Sequence, residues 1–187
     1  MSGEEKSTEV ESGVAVSEQD PLLSALTGKF GDGVLSTHTH RGDRTAIVER
    51  DCFLDVCGFL RNEPEWAFDM LTDLTAVDYL GRQPRFEMVY HFYSIEKNHR
   101  VRIKVPLAED DASIPTVIPL WSGANWLERE AWDLYGIKFD GHPDLKRIYL
   151  YEEFEGHPLR KDYPKEKRQP LVGPGAPEEA GESGSDS

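Results

Sequence analysis

Alternation of apolar and polar residues along the middle of the chain predicts a β-sheet. Over residues 86–95 both alternating faces are largely apolar, which is typical of a central strand with neighbours on both sides. A second strand follows a turn at residues 97–99 and shows the alternation of a half-buried antiparallel strand. Its apolar face consists of Val101, Ile103 and Val105, and its basic face of Arg100, Arg102 and Lys104.

The flanking residues predict further strands and helices. Residues 21–30 predict either a short helix, because Asp20 is a suitable N-cap and Pro21 is favoured at the first helical position, or an adaptor that folds on a neighbouring protein. Two strands over residues 34–40 and 45–49 are expected to form a hairpin with its turn at residues 41–43. Helical spacing predicts helices over 51–61 and 64–71, and further strands are expected over 74–80 and, at the periphery, 116–118.

The most strongly patterned helix is predicted over residues 125–136. Asn125 is a suitable N-cap, Glu128 falls where its carboxylate would complete a capping box, and Gly136 fits the left-handed residue after the last turn. Arg129 and Asp133 are four residues apart and are predicted to pair with each other. The opposite side is an apolar stripe made of Leu127, Ala131, Leu134 and Tyr135.

Beyond Gly136 the periodicity weakens, and residues 137–169 predict an extended arm. The triplets Gly-His-Pro occur at 141–143 and 156–158. In each, a glycine with a freely varying backbone precedes a histidine whose backbone angles are restricted by the following proline. Aromatic and basic residues are interspersed, and such residues are common anchors of protein interfaces. We therefore expect this arm to be ordered only against a neighbouring protein, with Tyr149, Tyr151, Phe154 and Tyr163 as anchors.

Together these elements predict an α+β fold, with a mixed or antiparallel sheet of four to five strands covered by helices and an extended C-terminal arm. The predicted organisation has four parts. Residues 1–20 form a disordered acidic tail, 21–136 the α+β domain, 137–169 the partner-binding arm, and 170–187 a second disordered acidic tail.

The formal charge of −14 is concentrated in the two tails. Residues 1–20 contain six acidic residues and one lysine, and residues 170–187 contain four acidic residues and no base. The mildly acidic remainder argues against nucleic-acid binding, which needs a basic surface. No apolar run has the length of a membrane span and no signal peptide opens the sequence, so a soluble, cytosol-facing protein is expected.

Candidate chemistry is sparse. Cys52 and Cys57 have neither the redox nor the cluster-binding spacing and are expected to be buried thiols. His38 with His40, and His142 with His157, lack the further ligands that zinc needs. No catalytic, metal or cofactor site is predicted, because phosphate-loop, dinucleotide and nucleophile patterns are also missing.

Two features leave a structural and a functional interpretation open. Glu128 and Glu130 each lie one turn from a tryptophan, so their helix is either an ordinary amphipathic helix or a surface for cationic groups of a partner. The basic face at residues 100–104 either is a solvated face that protects an exposed sheet edge, or it docks an acidic partner.

The order of several motifs resembles one known family. These are Glu-Arg-Glu at 128–130, Asp-Leu-Tyr-Gly-Ile at 133–137, Gly-His-Pro-Asp-Leu-Lys-Arg-Ile at 141–148, and Gly-His-Pro-Leu-Arg-Lys-Asp-Tyr-Pro at 156–164. With further matches at 73–79, 90–92 and 98–106, the chain resembles the 30-kDa subunit of respiratory complex I, the proton-pumping NADH:quinone oxidoreductase, over roughly residues 45–164.

The resemblance implies a non-redox structural subunit of the peripheral arm of that complex. It implies packing beside the 49-kDa subunit and neighbouring cluster-bearing subunits, near the quinone-reduction region, on the cytoplasmic face of a bacterial inner membrane. Alternatives are the equivalent subunit of a ferredoxin-, hydrogen- or F420-linked membrane oxidoreductase, and a free-standing interaction module. The predicted partner-interface residues are Glu128, Arg129, Glu130, Asp133, His142, Tyr149, His157, Arg160, Lys161 and Tyr163.

Overall fold

A computed structural model describes residues 20–167 and 169. The three helices are α1 (Pro21–Phe30), α2 (Phe53–Asn62) and α3 (Ala124–Tyr135), and short 3-10 turns at Gly31–Gly33 and Arg50–Cys52 follow α1 and precede α2. The strands are β1 (Val34–His40), β2 (Asp43–Val48), β3 (Met70–Asp78), β4 (Phe86–Ser94), β5 (His99–Leu107), β6 (Ser113–Pro115) and β7 (Lys138–Asp140). The predicted tails, 1–20 and 170–187, lie outside the described residues apart from Asp20.

The main sheet has five strands in the order β1-β2-β5-β4-β3. Three neighbouring pairs are antiparallel, whereas β2 and β5 are parallel, with Thr45 opposite Arg102. The predicted α+β fold with a mixed sheet is therefore confirmed. Strand β4 has a neighbour on each side, as its two apolar faces predicted.

One face of the sheet and the helices enclose the core. Apolar residues of β4 and β5 point to this face, and Tyr90, Phe92 and Ile103 are fully buried there together with Leu60 of α2. Helix α1 begins as predicted, because the Asp20 side chain accepts hydrogen bonds from the N–H groups of Leu22 and Leu23. Its three buried leucines, Leu22, Leu23 and Leu26, follow helical spacing.

The predicted helix over residues 64–71 is wrong. The chain turns after Pro64, and the Phe68 N–H donates to Leu60 O at 3.0 Å, which brings the segment back onto α2. Strand β3 then begins at Met70 rather than at residue 74. Pro64 therefore starts a turn, which buries Trp66 and Phe68 without a helix.

One of the interpretations left open for the basic strand, and one predicted strand, are also corrected. Strand β5 lies in the middle of the sheet, so its basic face does not protect an exposed edge. The peripheral strand is β6 at residues 113–115, and not 116–118, because the Val117 N–H bonds to a side chain instead of a neighbouring strand.

A second, two-stranded sheet extends the domain beyond α3. Strands β6 and β7 run parallel, with Ile114 opposite Phe139, and Ile137 and Phe139 are buried in the core. The structure thus places the end of the domain's regular elements at Asp140 rather than Gly136. Residues 141–167 contain no helix or strand.

Candidate partner interface

Helix α3 begins differently from its sequence pattern. Its N-cap is Gly123 and no side chain caps it, so Asn125 lies inside the helix. Glu128 is fully buried and accepts hydrogen bonds from Thr116 Oγ1 at 2.6 Å and Val117 N at 2.8 Å. The predicted capping box is wrong, because this carboxylate bonds to the loop after β6 instead.

Burial raises the pKa of Glu128 to about 7, although its two hydrogen bonds oppose that rise. No cation is within salt-bridge distance of this carboxylate among the residues that the structure describes. A folded-state pKa above the unfolded value means that the folded chain binds the proton more tightly, so stability falls as pH rises from about 4.5 to about 7.

We therefore expect Glu128→Gln to remove this loss of stability. The shift corresponds to on the order of 3 kcal/mol, so the variant should match the parent near pH 5 and exceed it near pH 8 in urea unfolding. Glu130→Gln is the matched control, because Glu130 lies two residues further along the same helix and its side chain is only half-buried. Equal pH dependence in parent and Glu128→Gln would contradict the assignment.

The carboxylate of Asp133 holds the first part of the arm. Its Oδ2 accepts from the N–H groups of Ile148, Tyr149 and Leu150 at 2.9–3.0 Å, and Arg147 Nη1 donates to its Oδ1 at 2.7 Å. Burial alone would raise the pKa of Asp133, but these donors outweigh it and hold the pKa below its usual value. The predicted pairing with Arg129 is therefore wrong.

Arg129 fixes the same segment from its other side. Its guanidinium donates to the carbonyl oxygens of Lys146 and Arg147 at 3.0 and 2.9 Å, and it lies 5.2 Å from the ring centre of Trp126. Arg129 and Asp133 thus satisfy backbone acceptors and donors of one loop, 146–150. Because Arg129 and Asp133 are one helical turn apart, both side chains reach residues 146–150, and they bond to this loop instead of to each other.

The last turn of α3 is closed by the second Gly-His-Pro segment. Three carbonyl oxygens at the helix end, those of Asp133, Leu134 and Tyr135, accept from His157 Nδ1, Leu159 N and Arg160 Nε at 2.9, 3.1 and 2.6 Å. These are groups that a helix leaves unpaired. Burial is the main cause of the lowered pKa of His157, consistent with its half-buried ring.

Gly136 ends α3 in the left-handed conformation, as predicted, with φ 75°. A Cβ at this position would lie 2.5 Å from His157 Nε2 and 2.8 Å from Arg160 Nη2. Two separate reasons therefore require glycine here: its positive φ, and the close approach of His157 and Arg160 of the arm.

A third attachment, centred on Arg85, has no clear local sequence pattern. Its guanidinium is buried and pairs with Asp78, Glu109 and Asp162 at 2.5–2.8 Å. Asp78 is also buried and accepts from Lys161 N at 2.7 Å. Arg85 thus joins the sheet, the acidic loop after β5 and the arm. An arginine between a proline and a strand gives no periodic signal, although Asp78 and Asp162 lie in motifs that carried the resemblance.

The structure sorts the ten predicted interface residues into three groups. Glu128 and Asp133 are buried and cannot present their carboxylates to a partner, which corrects that part of the prediction. The side chains of Arg129, His157 and Arg160 form hydrogen bonds to backbone carbonyl oxygens of the same chain. The remaining residues are on or near the surface of the arm and α3: Glu130, His142, Tyr149, Lys161 and Tyr163.

Two aromatic side chains stand out on this surface. Trp126 is 60% exposed and Tyr149 is 63% exposed, and the Tyr149 hydroxyl donates to Glu130 Oε2 at 3.2 Å. Tyr163 instead stacks on Phe154 with ring centres 6.0 Å apart. The arm therefore contacts its own domain at three places, which differs from an arm ordered only against a neighbour. Its role in binding a partner stays a prediction.

Groups that could bind metals are separated in the fold. Cys57 is fully buried and burial raises its pKa, while Cys52 Sγ lies 3.0 Å from Gly33 O. Within residues 20–167 and 169, no group of three or more His, Cys, Asp or Glu side chains is arranged to hold a metal ion. In the same part of the chain, no helix has the length and apolarity needed to cross a bilayer.

A comparison with models of known protein families establishes the family of this chain. A model of the family described as "Respiratory-chain NADH dehydrogenase, 30 Kd subunit" matches residues 46–169. The chain belongs to the 30-kDa subunit family of respiratory-chain NADH dehydrogenase. The matched region of this 30-kDa family member runs from β2 to the end of the arm, and it includes all three attachments of the arm.

The sequences of curated relatives align with this chain along nearly their whole length. An NADH-quinone oxidoreductase subunit from Geotalea uraniireducens is 46% identical over 160 residues, covering 84% of this chain and 96% of the relative. The subunit of the same name from Rhizobium meliloti is 46% identical over 164 residues, covering 86% of this chain and 90% of the relative.

Solved structures share the fold of this 30-kDa family member. A trypsin-resistant fragment (1-134) of Nqo5 is 32% identical, with a TM-score of 0.59, covering 66% of this chain and 98% of the fragment. A chain of the membrane-bound sulfane sulfur reductase, an archaeal respiratory membrane complex, is 23% identical, with a TM-score of 0.65. It covers 77% of this chain and 84% of its own length, and at this identity it shows the fold alone.

Proposed function

We propose that this chain is a non-redox structural subunit of the peripheral arm of a proton-translocating NADH:quinone oxidoreductase. It packs beside the 49-kDa subunit, near the region where quinone is reduced, and electrons pass from NADH to quinone through its partner subunits. The chain itself has no catalytic activity and lies peripherally on the cytoplasmic face of a bacterial inner membrane.

The observation that carries this proposal is the near full-length match to proteins named as one and the same subunit of NADH-quinone oxidoreductase. The site geometry supports a structural role. The strongest polar groups of the family motifs, Asp133, Arg129 and Arg160, hold the arm to the domain through hydrogen bonds inside the chain. A carboxylate or guanidinium with such hydrogen bonds holds the arm in place on the domain, and it is not free to take part in a reaction.

The cysteines also support a non-redox role. Thiolates are the form that binds iron–sulfur clusters and zinc, and burial with a raised pKa keeps Cys57 a thiol. Cys52 is fixed by contacts with the carbonyl oxygens of Gly33 and Glu49. Electron transfer in the assembly is therefore assigned to the partners.

The hydrogen-bonded attachment of the arm to α3 makes the exposed aromatic side chains of this joint surface suitable anchors for the 49-kDa partner. Trp126 lies on α3 and Tyr149 on the loop that Asp133 holds, and both keep well over half of their surface exposed. Tryptophan and tyrosine are enriched among the residues that dominate interface energies. A preorganised surface also loses less conformational entropy on binding than a disordered one.

The proposal is tested by isolating the native assembly through a tag on this chain. We expect the 49-kDa subunit, cluster-bearing subunits and an NADH-binding flavoprotein to copurify under mild detergent, with NADH:quinone reductase activity. Copurification of the 49-kDa subunit without the flavoprotein would assign the chain to a relative that uses another electron donor. Recovery of the chain alone would contradict the assembly role.

We expect the double variant Trp126→Ala, Tyr149→Ala to lose incorporation into the complex while the free chain stays folded. Truncation of central aromatic anchors typically costs about 2 kcal/mol or more of binding free energy. Leu80→Ala is the control, because Leu80 is 53% exposed in a different part of the fold. Copurification of the 49-kDa subunit and thermal unfolding of the free chain are measured together. Undiminished incorporation of the double variant would exclude this surface as the interface.

A further inference from the structure

Strand β1 forms an unprotected edge of the main sheet. The strand order places β1 at one edge and β3 at the other. Helix α3 packs against β3, and an irregularity between Leu71 and Asp73 interrupts the pairing of that strand, which are common protections of a sheet edge. Strand β1 has seven residues and contains no proline, lysine, arginine or acidic residue. Its register irregularity lies at its start, between Val34 and Ser36, so the rest of the strand is regular.

The hairpin register shows which backbone groups of β1 face outward. Arg41 and Gly42 form its two-residue turn with φ angles of 52° and 87°, which is typical of a type I′ turn. In such a hairpin, His40 and its partner on β2 exchange two backbone hydrogen bonds, and bonded pairs then alternate with non-bonded pairs. The N–H and C=O groups of Thr37 and Thr39 therefore point away from β2.

These outward groups are available for pairing. Within residues 20–167 and 169, the backbone of residues 36–40 forms hydrogen bonds to β2 and to no other segment. A row of free N–H and C=O groups on an edge strand is the template on which an extended polypeptide adds a further strand. The chemistry of this edge thus fits a partner with an extended backbone.

A groove lies at the start of the same edge. It has a volume of about 290 Å³, and its walls include Leu35 of β1 together with Pro106, Leu107 and Ala108 at the end of β5. Leu35 is 47% exposed. In strand addition, the main chain supplies affinity and pockets for alternate side chains supply specificity. An added strand passes Leu35 at the end of its pairing with β1 and can place an apolar side chain in this groove.

Positive charge lies beside β1 on the face of the sheet that points away from the core. Arg102 Nη1 donates to Thr45 Oγ1 at 3.3 Å, and Thr45 is the β2 residue opposite His38. Burial is the main cause of the lowered pKa of His38, and the charges of Lys104 and Arg102 lower it further. An acidic side chain on an added strand would meet this positive potential next to His38.

We propose that an extended segment of a neighbouring subunit adds to the main sheet along β1 as a sixth strand. Its backbone bonds to Thr37 and Thr39, an apolar side chain enters the groove at Leu35, and an acidic side chain lies beside His38. The inference rests on the proposed role in an assembly, because the added strand comes from another subunit.

A second copy of this chain fits the edge less well than such a partner. Two β1 strands can pair antiparallel through Thr37 and Thr39 in two registers. These registers place either Thr39 or Arg41 of the second copy beside Leu35. Neither side chain is apolar, so the groove would lack a suitable occupant.

Amide hydrogen exchange at single-residue resolution tests the proposal on the full chain, free and in the assembly purified through a tag. We expect the N–H groups of Thr37 and Thr39 to exchange on the order of 100-fold more slowly in the assembly. The N–H groups of His38 and His40 bond to β2 in both samples and should change far less. This alternation identifies strand addition, because simple burial would slow neighbouring amides alike.

The other outcomes of this measurement would overturn the proposal. Slow exchange of Thr37 and Thr39 in the concentrated free chain, lost on dilution, would assign the edge to a second copy. Slow exchange that survives dilution would assign it to a segment of the same chain. Unchanged exchange in an intact assembly would exclude strand addition while leaving the proposed function in place, whereas recovery of the chain alone would contradict both.

A proline substitution removes one outward donor and leaves the pairing of β1 with β2 in place. Proline is tolerated on an edge strand where its missing N–H would face outward, so Thr37→Pro should unfold in urea like the parent. We expect its incorporation into the assembly to fall by about tenfold or more. Thr37→Val is the matched control, because it keeps the N–H and should incorporate like the parent. Undiminished incorporation of a folded Thr37→Pro would overturn the proposal.

A charge placed in the groove provides an independent test. Leu35→Glu should lower incorporation by about tenfold, because the apolar side chain of the partner would then cover a carboxylate. Leu54→Glu is the control, since Leu54 is 41% exposed and lies on α2. Equal incorporation of the two variants would exclude the groove from the interface and overturn the placement of the added strand.

Discussion

Replacing Asp133 by alanine is expected to destabilise the chain by about 3–5 kcal/mol and to release residues 146–150 from α3. The change leaves the Arg147 guanidinium and three backbone N–H groups without the carboxylate that they share. Removing one side of a buried charged pair costs this much because the other side remains desolvated and unpaired. Urea unfolding measures the loss of stability.

Trypsin provides the local readout for the same variant. Lys146 and Arg147 are cleavage positions inside the attached loop, so release should speed cleavage there before the domain itself unfolds. Asp133→Asn is the control, because its one carbonyl oxygen still accepts from part of this donor set, and its effect should be intermediate. A loss below about 1 kcal/mol in Asp133→Ala, with unchanged cleavage, would contradict the role of Asp133 as an attachment point.

The second large effect is expected at Arg85. Arg85→Met should also cost about 3–5 kcal/mol, because the buried carboxylate of Asp78 loses both hydrogen bonds from the guanidinium and, among the described residues, keeps the N–H of Lys161 as its donor. Hydrogen bonds from Arg85 are the main cause of the lowered pKa values of Asp78 and Asp162. Lowered folded-state pKa values give stability that is lost as pH falls, so the variant should lose less stability than the parent on acidification.

A second substitution separates lost charge pairing from lost packing at this junction. Arg85→Met combined with Asp78→Leu removes both buried charges and should recover most of the stability, because an apolar pair of similar volume often replaces a buried ion pair without loss. Arg85→Lys should remain destabilised, since an ammonium group cannot reproduce the planar fork that meets several carboxylates. Equal instability of the single and double variants would assign the effect to packing alone.

Local chemistry explains which parts of the structure the sequence predicted correctly. The Asp20 cap of α1 and the left-handed Gly136 each depend on residues within a few positions of one another. Strand β4 was predictable as a central strand because both of its alternating faces are largely apolar, and it pairs with a strand on each side. In these cases the nearest residues along the chain are also the physical partners.

The errors lie where polar side chains bond to distant segments. Sequence spacing placed Glu128 at a capping position and predicted that Arg129 pairs with Asp133. In the structure, Glu128 bonds to the loop after β6, and Arg129 and Asp133 both bond to the arm. Periodicity assigns a side chain to a helix face and cannot say which loop covers that face. Arg85 was missed for the same reason, because its partners Glu109 and Asp162 are 24 and 77 residues away.

The closure of α3 by His157, Leu159 and Arg160 has a consequence for the growing polypeptide. Chains are made from the N-terminus, and early segments begin to fold while later ones are still being added. The helix is synthesised more than twenty residues before Arg160, so its final carbonyl oxygens must first be satisfied by water. The Lys161 N–H that reaches Asp78 comes from 83 positions further along. A nascent chain that stalls before residue 157 therefore lacks the donors that close the end of α3 and the Lys161 N–H that reaches Asp78, and local opening at these two places would give proteases access.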